Sequence, residues 1–567
     1  MTLGRGPRTA DDIAAELRRE FERALHQRYG TEPQPDPVLA TLFHTFAVQV
    51  SRIYEQAETV FPEAVIDDLV SGLGMAPRLA APAQTVVTFN RLDQRERISP
   101  ETDLIAYRST GEQIHFAPDE SIELSLTDLV FAAVYEHGQL RTIAGARVPG
   151  SDAPTPPAAA TLDLGRAGPA LFLAFRVDAS HLGGLGVFID TQPRDGEVSL
   201  ALGRSVWQLL TDDGRVAEGA VLRPRTGRGG VRCLHWPDDG MEPEPDGAPD
   251  VQRLLQLGDG PYGRQVWVFP AIPPVRRFAC TVPPSIAAAA STLVPEGHEG
   301  ALDRPLAWVQ VPLPAGTRGI ANAIQRIAVN CVTASNVEVF NERIVFDRTG
   351  TVVSMRPEGK AGRHVMGVVS VTGESGTAYA QETDVEATPG AGQYRYRAGR
   401  LELWPYRKAT GRFDPFAMVR LLYCDGESGN GIELGGVRRI SSTLANVTAS
   451  VTNLTTTAGG SGPPAYPDAR VRFAELLRTR ERIVTVGDIE IVALAFEPRI
   501  QQVDVQSATE LTDRGLQLVE IVTVHVRSSD FADPEAELPR LEDQLARHLQ
   551  ERAVIGHHIR VRVEEIA

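Results

Sequence analysis

The sequence predicts a multidomain α+β protein: an N-terminal helical bundle segment, central β-rich domains and a small C-terminal α+β domain. Three observations carry this reading. The chain has 567 residues, more than one core of roughly 100–200 residues fills. Apolar residues recur at helical spacing up to about residue 75, at period two from about 84 to 455, and in alternating helix and strand patterns after Pro464. With 42% hydrophobic and 23% charged residues, the composition fits neither a disordered chain nor a coiled-coil rod. The expected domains are 1–83, 84–285, 286–458 and 465–567.

In the N-terminal segment, Thr9 with Asp12 forms a capping signal, and Ile13, Leu17, Phe21, Leu25 and Tyr29 follow at spacing four. A helix over about 10–28 is expected. Asp36-Pro37 is a second start signal, because Asp accepts backbone N–H bonds at an N-cap and Pro at the first helical position loses none. Behind it Leu39, Leu42, Phe43, Phe46, Val50, Ile53, Tyr54 and Ala57 draw one apolar stripe, with Gln49, Arg52, Glu55 and Glu58 off it. A stripe of this width needs a covering surface. Two coverings are open, the core of its own domain or helices of another subunit, and the few elements around it favour the second.

From Gln84-Thr-Val-Val-Thr-Phe-Asn90 onward the pattern is that of strands. Asp212-Asp213-Gly214, Asp239-Gly240, Asp246-Gly247 and Gly258-Asp259-Gly260-Pro261 punctuate it with turn chemistry, and the acidic stretch 236–250 reads as an exposed loop. At least two β domains are expected, joined near 258–284 or 287–300. Gly459-Gly-Ser-Gly-Pro-Pro464 has the composition of a linker. Beyond it, Thr485 with Asp488 caps a helix carrying Ile489, Val492, Ala493 and Phe496. Glu520 to Arg527 alternates as a strand, Pro539 opens a helix with Leu541, Leu545 and Leu549, and Ile559, Val561 and Val563 alternate as a last strand.

Motifs for catalysis and metal binding are weak. His557-His558 would point to opposite faces of a strand, and His235 near Cys233 and Trp236 lacks further ligands. Gly373-Glu-Ser-Gly376 and Gly426-Glu-Ser-Gly429 miss the spacing of a nucleophile elbow and read as turns. Gly258-Asp-Gly260-Pro-Tyr-Gly263 matches a dinucleotide fingerprint in letters only, since a strand rather than a helix follows it. No catalytic residue, cofactor or metal is expected.

The formal charge of −16 repels phosphate backbones and anionic lipid, so nucleic acid is not an expected partner. No run of 18 apolar residues occurs and Met1 to Asp12 is polar, so neither a membrane span nor a standard leader is expected. Cys233, Cys280, Cys331 and Cys424 stand far apart, the pattern of reduced thiols in a cytoplasmic chain.

The run Gly426-Glu-Ser-Gly-Asn430, Val451-Thr-Asn453, Gly459-Gly460, Leu476-Leu-Arg478, Arg482-Ile-Val-Thr485 and Asp488-Ile-Glu490 resembles, in order and approximate spacing, the baseplate J-like wedge proteins of contractile phage tails. Asp36-Pro37 with its amphipathic helix, Phe61-Pro62 and the segment Met75-Ala-Pro77 to Ala81-Pro82 are similar to the N-terminus of type VI secretion baseplate wedge subunits, the TssF-like family. The middle of the chain, about 90–420, carries no such resemblance.

The resemblance implies a structural wedge subunit with N-terminal helices bundled with a second wedge subunit, β domains projecting as arms, and a C-terminal domain touching neighbouring copies in a six-fold ring. The spike or hub and sheath-proximal components would complete its partners, in a cytoplasmically assembled tail-like particle. Candidate interface residues are Leu39, Leu42, Phe43, Phe46, Val50, Ile53, Tyr54 and Phe61. The alternatives are a β-sandwich module binding carbohydrate or another surface ligand, which exposed tryptophans would favour, and a β-rich hydrolase whose groups meet only in the fold.

Overall fold

The computed structural model describes residues 10–29, 37 and 41–49 and, apart from short stretches of which 144–157 and 237–259 are the longest, residues 80–462 and 483–566. The chain divides into two units, Met1–Arg78 with Ala465–Phe473, and Leu79–Pro464 with Ala474–Ala567.

The first unit corrects the expected fold class. Among the described residues the protein is mostly β, with large sheets in place of the expected α+β mixture, and no N-terminal helical bundle segment is present. Those of the first unit hold a helix, Ala10–Tyr29, and a helical run over 41–49, with Phe21 and Phe43 edge to face at 5.4 Å. A bundle requires apolar stripes from several helices to seal a common core. Here Leu17, Phe21 and Phe43 are only half-buried, Leu42 and Phe46 are 60% and 57% exposed, and Ala47 is the one buried residue of 41–49. Periodicity announces a face to be covered; it does not count the helices that cover it.

The second unit is built on a six-stranded antiparallel sheet ordered Val437–Ile440, Leu104–Tyr107, Gln113–Pro118, Cys331–Ser335, Gln84–Asn90 and Ser450–Asn453. Its two end strands meet, with Gly435 N–H donating to the Asn453 carbonyl and Val437 N–H to Asn453 Oδ1. The sheet thus curls into a barrel whose seam is joined by these bonds instead of a full strand ladder, which covers the edges an open sheet would expose. Val87, Phe89, Leu104, Phe116, Val332 and Val451 fill it.

A twelve-stranded sheet lies against the barrel and draws its strands from Leu129–Glu136 through Ile324–Val329, with Ala279–Cys280 paired to Leu306–Pro312. The sheet thus takes strands from both sides of the proline clusters around 270–300. Ala170–Phe175 and Leu129–Glu136 are buried at every position. Both faces of the sheet are covered, so these strands read as continuous apolar runs instead of alternating. Trp207, Trp267 and Phe269 pack one face and Trp308 with Phe131 the other. At Gly186 a Cβ would stand 1.8 Å from the Cys331 carbonyl oxygen, so only glycine lets sheet and barrel backbones cross there.

Between barrel strands Cys331–Ser335 and Val437–Ile440 the chain inserts a domain of two sheets. One orders Glu338–Val345, Phe416–Cys424 and His364–Gly373; the other orders Val353–Met355, Arg400–Tyr406, Ala391–Arg397 and Ala380–Gln381. They share a core of Val368, Val371, Tyr394, Leu401, Leu403, Val419 and Leu421.

The C-terminal α+β domain has strands Ile500–Thr512, Gly515–Arg527 and His558–Ile566, the last pair parallel. Helices Val486–Phe496 and Pro534–Arg552 cover the sheet through Ile489, Val492, Leu541, Leu545 and Leu549. Thr485 and Asp488 form the capping box, Asp488 N–H donating to Thr485 Oγ1 at 3.2 Å and Thr485 N–H to Asp488 Oδ2 at 2.8 Å. The second helix begins five residues before Pro539, at Pro534 with Asp533 as its N-cap. Pro534 follows a side chain able to cap and takes the first helical position, whereas Pro539 follows Leu538 and lies inside the helix.

Replacing Thr485 by Ala removes one cap bond, worth about 1 kcal/mol. Amide exchange measured by mass spectrometry over the first turn of Val486–Phe496 is expected to accelerate about fivefold, with the barrel unaffected.

Candidate functional site

Three of the motifs singled out in the sequence converge on one junction beside the barrel. Gly426–Gly429 forms a 3-10 turn, and the Asn430 side chain that follows binds Gly460 in both directions: Nδ2 donates to the Gly460 carbonyl and Gly460 N–H donates to Oδ1, each at 2.8 Å. The amide pairs with the backbone as a neighbouring strand would. Thr457 Oγ1 donates to the Gly429 carbonyl and accepts from Ile432 N–H, both at 2.8 Å, and Gly431 N–H donates to the Thr457 carbonyl.

Asn453, in the second motif, closes the barrel. Its Oδ1 accepts from Val437 N–H at 3.0 Å while Nδ2 donates to the carbonyls of Glu433 at 3.0 Å and Thr455 at 2.8 Å. A buried amide so placed leaves little of its bonding capacity unmet.

The linker expected at 459–464 is overturned at its glycines. Gly459 and Gly460 are buried, and a Cβ on Gly460 would stand 2.3 Å from the Gly426 carbonyl oxygen and 2.8 Å from Asn430 Oδ1. Gly459, at φ +84, lies under Pro261 and the Arg540 guanidinium, 2.8 Å from where its Cβ would be. Here glycine is selected for close backbone approach, which a composition reading cannot separate from flexibility.

Two further modules reach this point. Tyr262, in the run Gly258-Asp-Gly260-Pro-Tyr-Gly263 that matches a dinucleotide motif in letters only, places its hydroxyl 2.5 Å from the Thr456 carbonyl and 2.7 Å from Asp533 Oδ2. Asp533 caps the C-terminal helix with its other oxygen, so one carboxylate both starts the helix and docks it. Tyr262 N–H donates to Gln84 Oε1, and Gln84 Nε2 donates to Asp119 Oδ2 at 2.7 Å. Burial pushes the Asp119 carboxyl above its ordinary value, against hydrogen bonds from Ser335, Thr333 and Gln84 that favour the anion. Arg264 and Asp543 form an ion pair between the same loop and helix.

The groups gathered here are amides, hydroxyls, carboxylates and main-chain carbonyls that hydrogen-bond one another, an arrangement that fixes positions. Ser428 Oγ donates to the Asp425 carbonyl within its turn. Burial pushes the thiols of Cys331 and Cys424 up to about 12, where the reactive thiolate is not formed at neutral pH. Among the described residues no group of three His, Cys, Asp or Glu is arranged to hold a metal ion, and no helix is long and apolar enough to cross a membrane.

Of the expected interface residues, Leu42 and Phe46 are exposed and Phe43 is half-buried against Phe21. Leu39, Val50, Ile53, Tyr54 and Phe61 lie outside the described residues, as do Leu476–Arg478, His557 and the acidic loop beyond Trp236. Trp207, Trp236, Trp267 and Trp308 are buried and Trp404 is half-buried beneath Arg395. Gln84, Asp119, Tyr262 and Asp533 went unread in the sequence. A cap before Pro534 was the one available signal, since nothing local reveals which polar residues long-range folding brings together.

Gly460→Ala is expected to destabilise the full chain by about 2–4 kcal/mol, because its Cβ meets backbone that cannot turn aside. Gly431→Ala, at φ +78 with open space around it, should cost only about 1 kcal/mol from backbone strain. Chemical denaturation followed by tryptophan fluorescence compares the two.

No protein-family profile and no curated protein matches the sequence. Among solved structures the chain is similar to one from the type VI secretion system TssK-TssF-TssG baseplate subcomplex, at 14% identity, 93% of this chain and 96% of that chain covered, TM-score 0.37. It is similar to a chain of the baseplate complex from the type VI secretion system at 14% identity, coverage 98% and 96%, TM-score 0.37. A third similarity is to the anti-feeding prophage (AFP) baseplate, at 10% identity, coverage 99% and 80%, TM-score 0.29. These neighbours are components of multi-subunit baseplate assemblies.

Proposed function

We propose that this protein is a structural wedge subunit of the baseplate of a contractile injection system, working by holding neighbouring components at fixed positions. The observation that carries the reading is the convergence of Gly426–Asn430, Val451–Asn453 and Gly459–Gly460. These are the motifs on which the sequence resembles baseplate wedge proteins, and they form the joint where barrel, large sheet and C-terminal helix meet. A part that transmits force between neighbours needs such joints more than it needs a reaction centre.

In this reading the apolar face carrying Leu42, Phe43 and Phe46 docks a second wedge subunit, with Leu39, Val50, Ile53, Tyr54 and Phe61 continuing it. The C-terminal domain touches neighbouring copies in a six-fold ring, and the spike or hub and sheath-proximal components complete the contacts. Assembly takes place in the cytoplasm. Large side chains exposed on a helix, as Leu42 and Phe46 are, fit a face that is covered only on assembly. The buried tryptophans give no support to an aromatic platform for carbohydrate.

The test is affinity purification of the full chain from cells expressing its neighbouring genes, followed by electron microscopy. The expected result is a stoichiometric complex with at least one other chain, lost in Leu42→Asp/Phe46→Asp while circular dichroism stays unchanged. Recovery of the unmodified chain as a lone monomer would refute the proposal, and so would a complex indifferent to both substitutions.

A further inference from the structure

The inserted domain joins the barrel through two chain crossings, one entering at Ser335–Glu338 and one leaving at Cys424–Asp425, and charged groups gather at both. On the barrel side, His115 Nδ1 lies 2.8 Å from Asp103 Oδ1. Across the crossing, His115 Nε2 faces Glu338 Oε1, at the start of the inserted domain, at 4.0 Å. Arg363 pairs with Glu338 and places its Nε 3.0 Å from Asp425 Oδ1. Asn336 ties the two crossings together, Nδ2 lying 2.8 Å from both the His115 carbonyl and Asp425 Oδ2 while Oδ1 accepts from Asp425 N–H.

We propose that the Asp103–His115–Glu338 contact is a proton-operated latch between the barrel and the inserted domain, closed when the His115 ring carries both protons and loosened when the ring is neutral. The chemistry follows from the two ring nitrogens. A neutral ring that donates from Nδ1 to Asp103 presents a lone pair at Nε2 to the Glu338 carboxylate, and the two repel. Protonation puts an N–H there and turns the contact into attraction across the joint. The charge count agrees. Three carboxylates, Asp103, Glu338 and Asp425, face a single guanidinium, Arg363, so the cluster lacks positive charge until His115 supplies it. All five side chains are one-third exposed or less, where such charges are only partly screened.

The hydrogen bond to Asp103 chiefly raises the His115 pKa above 6.5, with the Asp103 and Glu338 charges adding to it and desolvation and Arg363 opposing. A group raised on folding contributes stability that is complete below its unfolded value and lost as pH rises through the folded one. His364, the other histidine of this region, is shifted the opposite way, lowered by desolvation against the pull of Asp425. Its effect enters only as pH falls through and below 6.5, so the window above that value reports His115.

Spin labels at Tyr107→Cys on the barrel and Val352→Cys on the inserted domain, both exposed positions, read the joint in the full chain with Cys233 and Cys280 replaced by serine. The distance distribution is expected to widen about twofold from about pH 6.5 to about pH 9. His115→Gln keeps a hydrogen-bonding partner for Asp103 without titrating, and should be wide at both values. Glu338→Gln should likewise lose the response, with thermal unfolding reporting that each variant is folded. A width that does not change with pH in the unsubstituted joint overturns the latch, as does a pH response that survives His115→Gln in folded protein.

Discussion

The structure depends on a close approach of backbone to backbone at Gly459–Gly460. There the end of the barrel runs against the Gly426–Asn430 turn with no room for a side chain between them. A hydrogen-bonded pair of main chains needs its partners within about 3 Å of each other, and Asn430 supplies the missing strand by bonding Gly460 with both ends of its amide. Three parts gather around that contact: the turn leaving the inserted domain, which it holds directly, and the loop carrying Pro261 and Tyr262 and the helix carrying Asp533 and Arg540, which Tyr262 ties to each other and to Thr456. Because Gly460 is buried and Asn430 half-buried and the two satisfy each other, losing one partner strands the other, and such a joint resists small distortions.

Two asparagines do different work on the same physical basis. Asn430 fastens the turn to the barrel's exit, whereas Asn453 replaces the last rungs of a ladder that the two end strands do not complete. The barrel then presents a stable frame on which a domain can be inserted between two barrel strands successive in the chain. Insertions at such sites are tolerated when the two crossings lie close together, and Asn336 bridges both of them. The large sheet adds its own constraint at Gly186, where sheet and barrel backbones cross.

Much of the C-terminal domain was readable in the sequence, because its signals are local. Thr485 with Asp488 caps as its spacing suggests, and the alternation in Gly515–Arg527 and His558–Ile566 matches a sheet covered on one face. The N-terminal reading failed at the next level up: the stripe through Leu42, Phe43 and Phe46 is there, but no bundle segment accompanies it among the described residues. The central region resisted because its strands are buried on both faces and pair at long range, Gln84–Asn90 with residues near 333 and near 452. At the site, Gly426–Asn430, Asn453 and Gly459–Gly460 were singled out as a series, but their meeting was not foreseeable. Composition made Gly459–Pro464 a tether, and the fold makes its first two residues a joint.

The distinction between tether and joint has a direct measurement in residue-resolved amide hydrogen exchange of the full chain under native conditions. A joint predicts that the amides of Gly431, Ala458 and Gly460 exchange as slowly as those of barrel strand Gln84–Asn90, opening only with the barrel itself. Exchange at these three amides near the rate of solvent-exposed turns, while the strand stays protected, would contradict the account.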